Sequence, residues 1–486
     1  MPFLLGIDQG TTQTTAVVVD EQGVMVAKHS VQLPVHFPQP DWVEQEPWVI
    51  LETVRAAVAP LLARYDIAAV GFDNQGETFL LWDAARGQPL TPAIVWQDKR
   101  AVALCAQMAT TVDSQWLQQK TGLVLDTYFS APKLRVLLEA DADLRRAVES
   151  GCARFGTTES WVIWQLSHGR LHVTDPSTAS RTLLFDMNHL QWDDDLLALF
   201  GIPRSILPTV VPSAGYVGEL DFGTGRSYPL YALLVDQQAA LFGQACLEAG
   251  DMKCTFGTGT FLLMNTGNAP KLSQQGLLTT VAWQIGEHVH YALDGGDFAA
   301  GAAVQWLVEN AAFLSHAAAS HTVAQQADDH NVVFVPALAG LGAPQWQAQA
   351  RGTLFGVSRA TTQADIVRAT LEGIACRVCD IVNAIERDAG YQLTQLKVDG
   401  GPAANPFLMQ TLADLLAIEV QVAAEGEATA VGIANLAGHA ALGLATSVLR
   451  QRWQAQTIYH PTMSPQERNR RRERWQRALA AMRVFY

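Results

Sequence analysis

Two short turns in this 486-residue chain carry the residue types that hold phosphate. The first, Gln9-Gly10-Thr11-Thr12-Gln13, follows Asp8 and separates the apolar run FLLGID from the β-branched run AVVVD. The second, Gly257-Thr258-Gly259-Thr260, interrupts MKCTFGTGTFLLM. Such turns present successive backbone N–H groups and hydroxyls to an anion, and glycine lets the backbone come close. Asp8 is placed to hold Mg2+ through water, because hard cations take oxygen ligands. One Gly/Thr turn is an ordinary hairpin connection; two, facing each other from two halves of one chain, would clamp a triphosphate. Gly400 and Gly401, with Asn405, stand between a strand and a helix in VDGGPAANPFLMQ, where open α/β sheets contact nucleotides. Asp236, near the start of a helical stretch, is by itself an N-cap candidate.

The elements that must position these residues alternate in type. Each turn lies in a predicted hairpin, and the second hairpin echoes the first about halfway along the chain. That echo implies two lobes of one topology with a boundary between Gly243 and Asp251. Helical spacing covers PWVILETVRAAVAPLLARY, LLVDQQAALFGQACLEAG up to Gly250, Leu371 to Ala389, and PFLMQTLADLLA; AAVGFDN, VVFVPAL and LKVDGG read as strands. The pattern is an α/β fold. Ser464-Pro465-Gln466-Glu467 has the capping-box spacing with proline at the first helical position, so the chain ends in a helix. The six arginines of that helix (Arg468, Arg470, Arg471, Arg472, Arg474, Arg477) are read as a solvated face.

Composition narrows the partners. The chain is 49% apolar and 16% charged, which fits compact domains, and its length points to more than one. A formal charge of −14 disfavours nucleic acid and anionic membranes as partners. The opening MPFLLGIDQG lacks a basic n-region and Asp8 interrupts its apolar run, so a cytoplasmic protein is expected. No apolar stretch reaches the length of a membrane span. The six cysteines imply no disulfide framework, and Cys376 and Cys379, a lone CxxC at helical spacing, are read as core residues. His288 and His290 share one face of a strand with no third ligand, and no transition-metal site is assigned.

The chain resembles the FGGY carbohydrate kinases, and within them the glycerol kinases, almost end to end. The carriers are GIDQGTT, PDWVEQEPW, NQGET, AIVWQDKR, TGLVLDTYFS, HVTDPSTASRTLLF, VDQQAALFGQ, FGTGTFLLMNTG, GLLTT, GAAVQW, GLGAPQW and VDGGPAANPFLMQ. The resemblance implies two actin-like (ribonuclease-H-like) lobes about a central cleft. Residues 1–245 would bind substrate and phosphate, and residues 246–486 the adenine nucleotide. It implies ATP and Mg2+, with Thr11, Thr12, Gln13, Gly257, Thr258, Gly301, Gln305, Gly401 and Asn405 on the nucleotide, and Asp8 on the metal. Glu77, Trp96, Tyr128, Asp236, Gln237 and Phe261 would bind a small polyol or sugar, with Asp236 as general base. A homodimer or homotetramer is the assembly that the resemblance suggests.

Two positions depart from the family pattern. Gly76 and Thr15 stand where glycerol kinases have arginines, one toward the substrate and one toward the phosphates. The loss at Gly76 predicts weaker glycerol binding, and the vacated volume predicts a longer polyol or a ketose; the loss at Thr15 predicts weaker ATP binding. The rival readings are an actin- or chaperone-like ATPase, which would have no use for the substrate constellation, and a catalytically weak nucleotide sensor, which would have no need of both Asp8 and Asp236.

Overall fold

The computed structural model describes residues 2–327 and 331–486. Strands β1 (Phe3–Gln9), β2 (Gln13–Val19) and β3 (Met25–Gln32) form an antiparallel meander, and after α1 (Pro47–Leu62) strand β4 (Ile67–Asn74) lies parallel to β1. β5 (Ala214–Asp221) and β6 (Ser227–Val235) return later in the chain, β6 parallel to β4, and α2 (Asp236–Gly243) leaves the end of β6. The second half repeats the plan. β7 (Met252–Phe256) and β8 (Thr260–Gly267) make its hairpin, and β9 (Leu278–Ile285) and β10 (His288–Asp297) extend it beyond β8. Then come α3 (Gly301–Glu309), α4 (Gln363–Ala389), β11 (Gln395–Asp399), α5 (Pro406–Leu416), β12 (Glu419–Ala423), α6 (Ala428–Leu442), β13 (Ala455–Tyr459) and α7 (Pro465–Phe485).

The sheet order is β13-β12-β11-β7-β8-β10-β9-β5-β6-β4-β1-β2-β3. The sequences β3-β2-β1-β4-β6 and β10-β8-β7-β11-β12 have the same neighbours in the same parallel and antiparallel senses. Two lobes of one topology follow, and they touch within the sheet at one register pair, Ala214 beside Ile285. β1 and β4 are buried on both faces, as central parallel strands must be.

One helix crosses between the halves. α6, from late in the chain, lies on the first-half sheet, and its Ala430, Ile433 and Ala434 share a core with Leu4, Val17 and Ala69. Its close approach explains glycines inside two central strands: a Cβ on Gly6 would stand 2.0 Å from the Ala430 carbonyl oxygen, and one on Gly71 2.3 Å from that of Ile433. α6 also crosses α2, where a Cβ on Gly243 would meet the Ala428 carbonyl oxygen at 1.9 Å and one on Gly432 that of Ala239 at 2.1 Å.

Three expectations need correction. Residues 233–250 are not one helix: Leu233 to Val235 end strand β6, and the helix stops at Gly243, where α6 passes. A short apolar run has no period that separates strand from helix, and the parallel pairing with β4 decides it. α4 begins at Gln363 rather than near Leu371, because Thr362 and Asp365 form a reciprocal capping box there. The arginines of α7 are not simply solvated. Arg471 pairs with Glu372 of α4 at 2.7 Å and Arg472 donates to Asn383 at 2.9 Å, which ties the terminal helix to α4. Ser464 does cap that helix, accepting from the Glu467 amide. Cys376 and Cys379 are buried core residues of α4, and burial holds both thiols above the usual range.

Candidate active site

The first turn and three carboxylates meet at the ends of β1, β4 and β6. Parallel register places Asp8 beside Asp73, and Val235 beside Asn74, so Asp236 opens α2 next to both. Burial and the charge of Asp236 push Asp8 up to about 7. Burial and the charge of Asp8 push Asp73 well up too. Neither oxygen of Asp73 meets an N–H or O–H donor among the described residues. Asp236 is the first residue of its helix rather than a cap, and its Oδ1 accepts from the Gln237 amide at 2.7 Å. Burial raises its pKa, opposed by that amide and by Lys253 and Arg181. Buried Lys253 donates to Gln237 Oε1 at 2.5 Å and to Thr255 Oγ1 at 2.9 Å, which fixes the Gln237 amide.

An aromatic and ionic wall stands beside Asp236. The ring of Trp96 lies 5.6 Å from that of Tyr128 and 6.1 Å from that of Phe261, so residues from both lobes form one surface. Trp96 Nε1 donates to Thr11 Oγ1 at 2.9 Å, joining this wall to the first turn. Glu77, in a left-handed backbone conformation at φ 60°, accepts from Arg181 at 2.6 Å, and Arg181 also donates to Asp294 at 2.9 Å. All three are buried, and burial outweighs the guanidinium at Glu77, whose carboxyl is pushed up to about 7. Lys133, also buried, donates to the Tyr128 and Trp96 carbonyls at 3.0 and 3.3 Å and so holds both aromatic residues from behind.

A Cβ on Gly76 would stand 2.8 Å from Val235 Cγ2, so any side chain there would press on the valine before Asp236. Thr15, buried, shares a 3.0 Å hydroxyl contact with Ser30 and so is committed to the β2–β3 pairing.

The other nucleotide candidates group around the second turn. The amides of Ala300 and Ala302 donate to the Thr258 carbonyl and that of Gly301 to the Gly257 carbonyl, each at 3.0 Å, so α3 begins against the turn. Thr12, Gln13, Gly257, Thr258, Gln305 and Gly401 are exposed. Gln305 donates to Glu309 one turn along. Gly400, at φ 90°, lies against β7: a Cβ there would meet the Phe256 carbonyl oxygen at 2.0 Å. Asn405 caps α5 by accepting from the Leu408 amide at 3.1 Å, and its amide nitrogen donates to Ser320 at 2.9 Å, which leaves one N–H and one oxygen lone pair.

Comparison with known proteins decides the family. The N-terminal domain of the FGGY family of carbohydrate kinases matches residues 3–243, and the C-terminal domain of that family matches residues 252–441. The chain belongs to the FGGY family. A glycerol kinase from Symbiobacterium thermophilum is 44% identical over 485 residues, covering 98% of this chain and 97% of the relative. The crystal structure of a Plasmodium falciparum glycerol kinase with ADP superimposes with a TM-score of 0.91 at 32% identity, covering 99% of this chain and 98% of that one. A xylulose kinase from Lactobacillus acidophilus shares the fold, with a TM-score of 0.89 at 22% identity, covering 100% and 98%. The two actin-like lobes expected from the motifs are therefore those of an FGGY carbohydrate kinase, and the family implies use of ATP.

Four residues of this FGGY site escape a reading of the motifs. Arg181, Lys133, Lys253 and Asp73 are charged residues inside apolar stretches, in ASRTLLF, SAPKLRVLL, MKCTF and AVGFDN. A charge in a stretch that must be buried needs a partner, and that is the signal by which they could be found.

Proposed function

We propose that this protein transfers the γ-phosphoryl group of ATP to a hydroxyl of a small polyol, glycerol or a compound of its size. The observation that carries this reading is the position of Asp236 between two surfaces: the Glu77, Trp96, Tyr128 and Phe261 wall, and the carboxylates beside the first turn. An apolar wall for a carbon chain, with a few buried polar groups for its hydroxyls, is what a polyol requires. The glycerol kinase of Symbiobacterium thermophilum, 44% identical over nearly the whole chain, favours the small end of the substrate range.

Asp236 takes the proton of the attacking hydroxyl, and the raised affinity of its desolvated carboxylate for protons suits that role. Gln237, held by Lys253, orients the substrate beside it. Arg181 holds Glu77 in its left-handed conformation with its carboxylate toward the wall. The two turns bind the phosphates through backbone N–H groups and the hydroxyls of Thr11, Thr12 and Thr258. The unpartnered oxygens of Asp73 beside Asp8 fit a bound cation, and Asp8 would hold Mg2+, which neutralises charge on the phosphate oxygens when bound. Closure of the lobes excludes water from the reaction.

The test is ADP release with Mg·ATP across glycerol, tetritols, pentitols and ketopentoses, with Asp236→Ala as the blank. Glycerol or a three-carbon analogue should give the highest kcat/KM. A five-carbon compound in first place would overturn the size argument, and ADP release no higher than the blank for every compound would overturn the polyol kinase reading.

A further inference from the structure

Asp73 fits a cation beside Asp8, and the transfer reaction described above gives it no other part. It belongs to β4, a strand buried on both faces, and is itself fully buried. Its register partner on β1 is Asp8, close enough for the two carboxyl groups to share a hydrogen bond. No lysine, arginine, hydroxyl or amide donates to either of its oxygens among the described residues. The charges around the pair are mainly of like sign: Asp236 stands beside both, and Glu427, at the start of α6, adds to the field at Asp8. Lys253 is engaged with Gln237 and Thr255. A carboxylate buried without a donor, beside a second carboxylate, needs a partner, and the place between the two is one that a cation would satisfy.

We propose that Asp73 and Asp8 together form a two-carboxylate seat for a divalent cation, and that this protein takes up the ion before any nucleotide arrives. The proposal rests on reading Asp8 as a metal-side residue. Hard divalent ions of the Mg2+ and Mn2+ type are commonly held by one or two carboxylates, with water or phosphate oxygens completing the shell. The seat has that composition: two carboxylates on adjacent strands, at the mouth of a turn suited to phosphate. Asp8 alone would need the phosphates to fix the ion. The pair adds a second anionic oxygen donor and a charge that only a cation or a proton can balance.

The experiment uses the full chain, metal-stripped and free of nucleotide, titrated with Mn2+ while free Mn2+ is followed by electron paramagnetic resonance. The wild type should bind one Mn2+ per chain, competed by Mg2+. Asp73→Asn, which keeps the shape and removes the charge, should weaken Mn2+ binding at least tenfold with circular dichroism and melting temperature retained; Asp73→Thr is the second variant if Asn fails to fold. Equal Mn2+ affinity in wild type and variant, or no binding by the wild type until nucleotide is added, would overturn the proposal, since the pair would then be balanced by a shared proton. The measurement involves no ATP and no polyol. Its failure alongside ADP release that depends on Asp236 would sink the metal seat and leave the kinase reading standing.

Discussion

The two phosphate turns look alike in sequence and are built differently. The Gly10-Thr11-Thr12 turn has backbone bonds, from the Gly10 amide to the Gln13 carbonyl and from the Leu33 amide to the Thr12 carbonyl, and adds side chains to them: Gln45 donates to the Thr11 carbonyl at 2.6 Å, Gln75 supports Gln45 at 2.8 Å, and Trp96 donates to the Thr11 hydroxyl. The Gly257-Thr258-Gly259 turn is held by backbone, through the first amides of α3 and the close approach of Gly259 to β10. The first turn therefore senses the substrate wall, because Trp96 belongs to both. The second is fixed by the frame of its lobe. Similar turn chemistry tells what a loop can bind; its attachment tells what the loop can respond to.

The sharpest break lies under the second turn. Arg377 of α4 pairs with Asp297 at the end of β10 at 3.0 Å and donates to the Ala343 carbonyl at 2.8 Å, all buried. Arg377→Met leaves the Asp297 carboxylate buried and unpaired, and should cost roughly 3–5 kcal/mol in urea unfolding of the full chain. An unchanged midpoint would mean that the second turn does not depend on this frame.

Gly259→Ala tests the same turn from above. The added methyl would stand 2.3 Å from the Asp297 carbonyl oxygen, a clash with backbone that no rotamer relieves. A loss of roughly 1–3 kcal/mol is expected, with weaker ADP binding by calorimetry and polyol binding nearly unchanged. Equal losses for both ligands would remove the distinction between the turns.

Trp96→Phe tests the first turn. The ring remains and the N–H donor to Thr11 goes, so about 1 kcal/mol should be lost. The loss should appear as weaker coupling between nucleotide and polyol binding rather than as weaker binding of either alone. Unaltered coupling would show that the wall and the turn are independent.

The smallest effect is one that any pH study of the turns must subtract. His172 lies against Trp82 and Trp164 and contacts the Phe155 carbonyl at 2.8 Å, and burial pushes its pKa down to about 4. Below pH 6.5 the unfolded chain takes up a proton that the folded histidine refuses, so stability falls as pH falls from 6.5 towards 4. The loss is roughly 0.8 kcal/mol at pH 6 and grows on further acidification. His172→Gln should flatten that part of the stability profile; a profile as steep as the wild type's would place the slope elsewhere.

Much of this comparison is legible in the amino-acid sequence. The turns, the hairpins, the repeat of topology and the position of Asp236 are local patterns, and local patterns survive in a sequence. The missing parts are encounters between distant residues. Glu77 and Arg181 lie 104 positions apart and Arg377 and Asp297 lie 80 apart, and neither pair has a spacing that announces it. The neighbour of Gly76 is hidden for the same reason: Val235 belongs to a strand whose place next to β4 is set by the sheet. Residues 233–235 read as helix because three apolar residues have no period of their own, and the helical spacing that follows them extends over them.

The crossing of α2 and α6 has a mechanical consequence. At their contact the two helices meet backbone to backbone, with Gly243 and Gly432 presenting no side chain to catch on the other. That contact is the closest two helices can make, and around it Phe242, Val431 and Ile433 are buried in one core. A single methyl at either glycine would wedge the helices apart, so these two positions set how closely the late-chain helix seats on the first half of the molecule although they stand outside its chemistry.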